Sequence, residues 1–328
     1  MDQNEAVITL EEPVDVIRLN KLIDYLTSFE PSSSYLPRLL EYKKHVKFAK
    51  ICVDYNYCDS LKSEKLGRLY SRKGVSLQML GRQVRNFLAQ PFGFDVDFEN
   101  AQPRILFKVA KDRNWPCNAL SRYVSNREKI LEEIMRTYQV ERVNAKELIL
   151  AMMFLGKLRN WEDDNIPTIH KESIMSSSIR RYLTELEHEL LDIAQNVANS
   201  MPELVKVCKH KEPGSSHWEL LSSVLSTFCL TEENKILMLL YEYLVKKGRR
   251  IITLIYDGLI IQKQPDETSF PDELLLKAEK YIFVKSGYSM KLAIKPFESK
   301  YDHLGASKKL SKEQMDNSHT LTPWMNCA

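Results

Sequence analysis

The chain has 328 residues, 44% of them hydrophobic and 28% charged, with a net charge of +3. That balance suits a globular protein with a real core and sets up no global basic field, so the placement of the Lys and Arg residues matters more than their sum. No apolar run approaches the ~20 residues of a membrane span, and Met1-Asp-Gln-Asn-Glu5 lacks the basic and apolar parts of a signal peptide, so a soluble, intracellular protein with no membrane partner is expected.

Residues 14–60 read as helical, with Val14, Ile17, Leu19, Leu22, Ile23 and Tyr25 near helical spacing, a break at Pro31–Pro37, and a second helix over Arg38–Ala49. Ser71-Arg-Lys-Gly74 reads as a basic turn. From Phe92 the period changes. Phe94, Val96 and Phe98 alternate with Asp95, Asp97 and Glu99, as in a strand with one apolar face, and Pro103 favours a turn or helix start. Residues 118–160, 176–207 and 218–247 read as helices, the last closed by Gly248. Ile251–Tyr256 is a β-branched run that Asp257-Gly258 joins to Leu259–Lys263, a strong hairpin signal. A helix over Asp272–Ile282, a strand over Met290–Ile294 and a polar tail from about Ser307 complete an α+β scheme: a small sheet that carries acids, interrupted by a large helical insertion.

Several residues carry no chemistry on this reading. The six cysteines lack CxxC spacing and are expected to be reduced thiols. Cys208-Lys-His210 with His217 is a faint zinc pattern, better explained by core or solvent positions. Trp115, Trp161 and Trp218 are expected to anchor helices, His170 and His188 to be plain surface or core residues, and Glu232 and Glu233 to cap a helix after Thr231.

The chemistry lies elsewhere. Asp95 and Asp97, at i and i+2 of a strand, project the same way, and a hairpin with Asp257 at its turn brings a third carboxylate towards them. Clustered carboxylates repel unless a cation intervenes, and an oxygen-only, partly hydrated site is what Mg²⁺ prefers. Two such ions about 3.5–4 Å apart activate an attacking hydroxyl and stabilise a leaving pyrophosphate. Arg142 and Lys146 share one helix face, with Phe154 two turns beyond, which suits a triphosphate and a stacked base. Upstream, Arg68, Arg72, Lys73, Arg82 and Arg85 are interleaved with Tyr70 and Gln78, a composition able to track a phosphate backbone. Each feature alone is also what an ordinary surface shows.

Taken in order, these stretches resemble family A DNA polymerases. Asp97-Phe-Glu-Asn-Ala-Gln-Pro-Arg-Ile-Leu106 is similar to that family's first palm motif, Asp-Tyr-Ser-Gln-Ile-Glu-Leu-Arg-Ile-Leu. Gly67-Arg-Leu with Leu77-Gln78 and Arg85 resembles the stretch before it, Arg142, Lys146 and Phe154 match the fingers-helix pattern, with Gly156 one residue late, and Tyr256-Asp257-Gly258 stands where the family has His-Asp-Glu. The Asp-x-Asp-x-x-Asn-Ala variant with a terminal Tyr-Asp-Gly resembles a divergent branch of viruses and mobile elements, so the chain is expected to be virus-encoded.

The resemblance implies a right-hand palm with inserted helical fingers, a reduced thumb and no proofreading exonuclease. Residues 1–60 are then a helical N-terminal or thumb region, 61–110 and 248–300 the two parts of the palm, 111–247 the fingers and 301–328 a tail. It implies two Mg²⁺ ions on Asp97 and Asp257, with Asp95 a further acid offsetting the absence of one at Gly258. Arg142, Lys146, Phe154 and Gln102 would hold the incoming dNTP, and Arg68, Gln78, Arg82 and Arg85 the DNA primer-template. Gln102 replaces a glutamate that screens the ribose 2′-position, and Phe154 lacks a tyrosine hydroxyl, so sugar choice is open. Low processivity is expected, which leaves room for a helicase, primase or processivity factor as partner. The alternatives are an RNA polymerase or primer-making enzyme of the same fold, an inactive nucleic-acid-binding replication factor, and an unrelated α+β protein with a structural Asp-Gly hairpin.

Overall fold

The computed structural model describes residues 7–72, 75–166, 174–211 and 214–305. Part of the expected basic turn at Ser71–Gly74, His170 and the tail from Ser307 lie outside them. Two antiparallel sheets organise the chain. The first has strand order β1 (Ile8–Pro13), β2 (Lys50–Tyr57), β3 (Leu69–Ser71); the second has order β5 (Ile251–Ile255), β6 (Gly258–Gln262), β4 (Gly93–Phe98), β7 (Leu292–Lys295).

The first sheet corrects the helical reading of residues 14–60. Helices Val16–Phe29 and Tyr35–Lys44 form, but Lys50–Tyr57 is a strand. Its own period is two: Ile51, Val53 and Tyr55 are buried while Cys52 and Asp54 face solvent. The two sheets meet edge to edge. Tyr55 on β2 shares a hydrogen bond of 2.7 Å between its hydroxyl and that of Thr253 on β5. Beside it, Glu12 of β1 is completely buried, accepting from the Leu77 amide at 2.8 Å and the Tyr42 hydroxyl at 3.1 Å. Burial pushes this carboxyl up to about 7, against those hydrogen bonds and one from Thr253.

In the second sheet every residue of β4 is buried, so the strand has no solvent face; Phe94, Val96 and Phe98 enter the core on one side and the acids are covered on the other. The hairpin forms, with a register one residue from the expected one. Ile255 pairs with Gly258, so Tyr256 and Asp257 make the turn and Gly258 opens β6. The reason is contact with β4: a Cβ at Gly258 would lie 2.5 Å from the Val96 carbonyl oxygen and 3.0 Å from Asp97 Oδ1. Tyr256 takes the left-handed conformation instead, at φ 51°.

Between β4 and β5 lie the helices of the insertion. Asn118–Tyr138, Ser178–Ser200 and the 30-residue His217–Lys246 pack together, and shorter helices Ala101–Asp112, Arg142–Met153, Leu158–Asn165 and Pro202–Lys211 fill around them. The longest starts at a Ser216/Glu219 capping box and stops at Gly248, φ 73°. As expected, the tryptophans pack in this block: Trp161 meets Tyr138 edge-on at 5.7 Å, and Trp218 Nε1 donates to the Leu155 carbonyl at 3.1 Å. Helix Asp272–Ser286 crosses back to the sheet before β7. Among the described residues no helix is long and apolar enough to cross a membrane.

Candidate active site

Strand register builds the acidic part of the site. β4 lies between β6 and β7, with Asp97 opposite Gly258 and Ala293, and Asp95 opposite Ile260 and Lys295. Asp257 precedes Gly258 directly, so its backbone lies at the Asp97 end of β4, and its charge acts on Asp95. Burial raises the Asp257 carboxyl above the usual carboxylate range, opposed by the Arg68 guanidinium. Burial likewise raises Asp95, opposed by Lys295, Arg85 and Arg82 and reinforced by the negative charge of Asp257. Lys295 ties the group together: it faces Asp95 across the ladder and its ammonium forms an ion pair with Asp97 Oδ2.

This donor set fits Mg²⁺ in one specific sense. The acids offer oxygen only, and a cationic group already rests on Asp97. Among the described residues, however, no group of three or more His, Cys, Asp or Glu side chains is gathered to hold a metal ion. Asp95 faces Lys295 across the ladder, and the charges of Lys295, Arg85 and Arg82 act on it. One or two carboxylates completed by water and substrate phosphates is the coordination Mg²⁺ favours.

Behind Asp257 lies a buried ion pair that the sequence reading missed. Arg68 binds Glu233, which is fully buried, and Gln102 Nε2 donates to the other Glu233 oxygen at 3.4 Å. The Arg68 guanidinium also lies 5.6 Å from the Tyr256 ring centre. Burial pushes Glu233 up to about 7, against Arg68 and with the Asp257 charge adding to the rise. The expected capping role of Glu232 and Glu233 is thus corrected, because both lie in the middle of helix His217–Lys246. Thr231 is interior too: it donates back to the Thr227 carbonyl at 2.6 Å and accepts the Gly67 amide at 2.8 Å, pinning the Gly67-Arg68 turn to the helix. A signal existed, since Glu233 occupies the apolar stripe of Cys229, Ile236, Leu237 and Leu240, where an acid needs a partner.

The basic residues divide into two kinds. Arg142 opens helix Arg142–Met153 and Lys146 lies one turn on. Burial lowers the Lys146 ammonium, helped by Arg142, Arg127 and Arg82 and opposed by Glu128. The charge of Arg82 is felt both by Lys146 on the basic helix and by Asp95 on the acidic strand. Arg85 is mostly covered and donates to the Leu80 carbonyl at 3.0 Å. Phe154 is the residue just past the helix end, not a member of its face; it is partly buried and its carbonyl accepts from Ser222 at 2.8 Å. Gln78 is a correction. It is 1% exposed, accepts the Ser71 amide at 3.0 Å and donates to the Leu69 carbonyl at 3.1 Å, so it closes β3 and is not presented to a ligand.

The remaining candidates fall away from the site. Cys208 is buried against Thr227 while His210 is exposed, so the faint zinc pattern does not converge. His188 is exposed.

No protein-family model matches the chain. The curated protein named "Putative helicase V13", from Sputnik virophage, is 29% identical over 296 residues; these cover 90% of this chain and 35% of that protein, so the chain spans about a third of its relative's length. The structure is similar to the POL domain of Pol1 from M. smegmatis, solved in complex with DNA primer-template and dNTP, with a TM-score of 0.53 and 10% identity over 86% of this chain and 55% of that one. The chain thus has a mixed α/β fold, with small antiparallel sheets and many helices, of the kind found in that DNA polymerase domain.

Proposed function

We propose that the chain is a template-directed nucleotidyltransferase, a DNA polymerase of the family A type from the branch found in viruses and mobile elements. The observation that carries the reading is the β4–β6 register. It sets Asp97 against Gly258, so that Asp257, in the turn just before Gly258, stands at the Asp97 end of β4, and the charge of Arg82 is felt both by Asp95 and by Lys146. On this reading the sheet of β4–β7 is the palm, and the helices between β4 and β5 are the fingers. Primer-template DNA and a dNTP are the partners, as in the polymerase domain it resembles. The helicase in the virophage relative's name belongs to a protein of which this chain spans 35%, and is not carried over.

Asp97 and Asp257 would hold two Mg²⁺ ions, which supply a Lewis acid for the attacking 3′-hydroxyl and for the leaving pyrophosphate. The chain's own residues do the positioning. Arg142 and Lys146 neutralise the triphosphate as charge moves onto the leaving group, and Phe154 stands at the end of their helix, near the base. Gln102, tied to Glu233, lines the sugar side. Glu233 fixes Arg68 behind Asp257, so that the guanidinium meets the primer end in a set orientation. Arg82 and Arg85 would face the DNA backbone from the other side of the acids.

The test is primer extension on a DNA template with Mg²⁺, comparing dNTPs with rNTPs, with Asp257→Asn alongside. Extension that the substitution abolishes is the expected result, and the preferred triphosphate assigns the sugar. No extension with either set, with primer-template binding retained, would leave a non-catalytic replication factor.

A further inference from the structure

Helix Asn118–Tyr138 is broken at one place. Asn126 leaves the helical region, at φ −131° and ψ 32°, and its side-chain amide donates to the Arg122 carbonyl at 3.3 Å. The next two residues use that break. Arg127 Nη1 donates to Glu128 Oε1 at 2.9 Å, and Arg142 Nη2 lies 2.7 Å from Glu128 Oε2. One carboxylate thereby holds side by side two guanidiniums from different helices. The Arg127 side chain also interacts with Tyr123, and among the described residues its buried Nε has no hydrogen-bond partner.

Three guanidiniums, those of Arg142, Arg127 and Arg82, act on the Lys146 ammonium, and Glu128 is an anion that opposes them. Such a cluster attracts a polyanion. The Glu128 side chain is 57% exposed and that of Arg142 42%. An ion pair so open to water adds little net stability and exchanges readily. A polyphosphate offers the same two forks more charge and more acceptor oxygens than one carboxylate does.

We propose that Arg127 is a third cation of the triphosphate site, beside Arg142 and Lys146, and that Glu128 is an internal placeholder whose carboxylate occupies both guanidiniums until a polyphosphate displaces it. This rests on the polymerase reading for its substrate but not for its charge chemistry. It assigns to the kink at Asn126 the job of turning Arg127 and Glu128 towards Arg142.

The test uses the full chain with inorganic tripolyphosphate in calorimetry and, separately, steady-state primer extension. Arg127→Ala is expected to weaken tripolyphosphate binding about tenfold and to raise the dNTP KM by a similar factor, with kcat changed by less than about threefold. Glu128→Gln is expected to tighten tripolyphosphate binding several-fold and to lower KM. Unchanged binding in Arg127→Ala would overturn the assignment, and weaker binding in Glu128→Gln would overturn the placeholder. The second variant keeps the test decisive if the first does not fold. A wild-type chain that binds tripolyphosphate through Arg127 but extends no primer would sink the polymerase reading alone. Extension lost in Asp257→Asn, with a KM indifferent to Arg127, would sink this proposal alone.

Discussion

Lys295 and Asp97, on neighbouring strands of one sheet, form an ion pair at the point where the proposed reaction needs a divalent cation. The ammonium is brought there by register, because β7 places Lys295 opposite Asp95, two residues along the same face of β4 from Asp97. A tethered single charge keeps the buried acids compatible with folding, and on the proposed reading it would compete with a bound metal.

Lys295→Met is therefore expected to bind divalent metal several-fold more tightly than wild type, read with Mn²⁺ by electron paramagnetic resonance. Its thermal midpoint without metal should fall, since Asp95 and Asp97 lose their nearest counter-charge, and should recover when metal is added. Equal Mn²⁺ affinity in the two proteins would show that Lys295 does not compete for the carboxylate.

Glu12 predicts a pH dependence with a definite sign. Its folded value of about 7 lies above the ordinary 4.5. The folded state thus holds the proton more tightly, and the stability this confers is full below pH 4.5 and lost as pH rises through 7. The difference amounts to something on the order of 3 kcal/mol. Glu12→Gln should gain on wild type in thermal midpoint as pH rises from 4.5 and reach a constant gap above about 7. A gap independent of pH would mean that Glu12 titrates normally.

Glu233→Ala should be costly in two ways. It leaves Arg68, whose side chain is 16% exposed, without its partner. Breaking one side of such a buried pair costs about 3–5 kcal/mol, measurable by denaturant unfolding. Glu233→Gln keeps the shape and one acceptor and is expected to fold better. Its primer-end affinity should fall by about an order of magnitude, because Arg68 loses its charged anchor. Full activity in a folded Glu233→Gln would separate Arg68 from the site.

Gly258→Ala tests the close approach of β4 and β6. The added methyl meets the Val96 carbonyl oxygen at 2.5 Å, a backbone atom unable to swing aside. The strands must part, at a cost of about 1–3 kcal/mol, and Asp97 moves with them. Extension rates should drop by at least tenfold while far-ultraviolet circular dichroism stays close to wild type. A variant with unaltered rates would show that the Asp97–Asp257 spacing tolerates strand separation.

Much of this was readable in the chain, for physical reasons. Alternation at Phe94–Phe98 and the β-branched run at Ile251–Ile255 point to the acidic sheet, the first because successive side chains of a strand face opposite ways, the second because a strand covered on both faces is apolar throughout. The helices of the insertion were legible from long apolar periodicity. The strand Lys50–Tyr57 was not, since its alternation is short and follows directly on two helices whose period was carried too far. Asp-Gly so often fills a turn that the sequence points to Gly258 there; its actual constraint comes from β4, distant in sequence. The same holds for Glu233, Lys295 and Gln78. Each is defined by a partner that only tertiary structure supplies: Arg68 from 165 residues away, Asp97 across a ladder, and the Ser71 amide with the Leu69 carbonyl across a turn.

The position of β4 has a mechanical consequence. Held by ladders on both sides, the strand cannot slip by one residue without breaking two sets of hydrogen bonds and turning Asp95 and Asp97 into the space filled by Val96. The backbone that carries the acids is therefore a rigid anvil whose geometry is set at folding, and on the proposed reading only the Lys295 ammonium would have to yield when substrate arrives. On the polymerase reading proposed above, a closing motion would come instead from the helix Arg142–Met153, which carries Arg142 and Lys146.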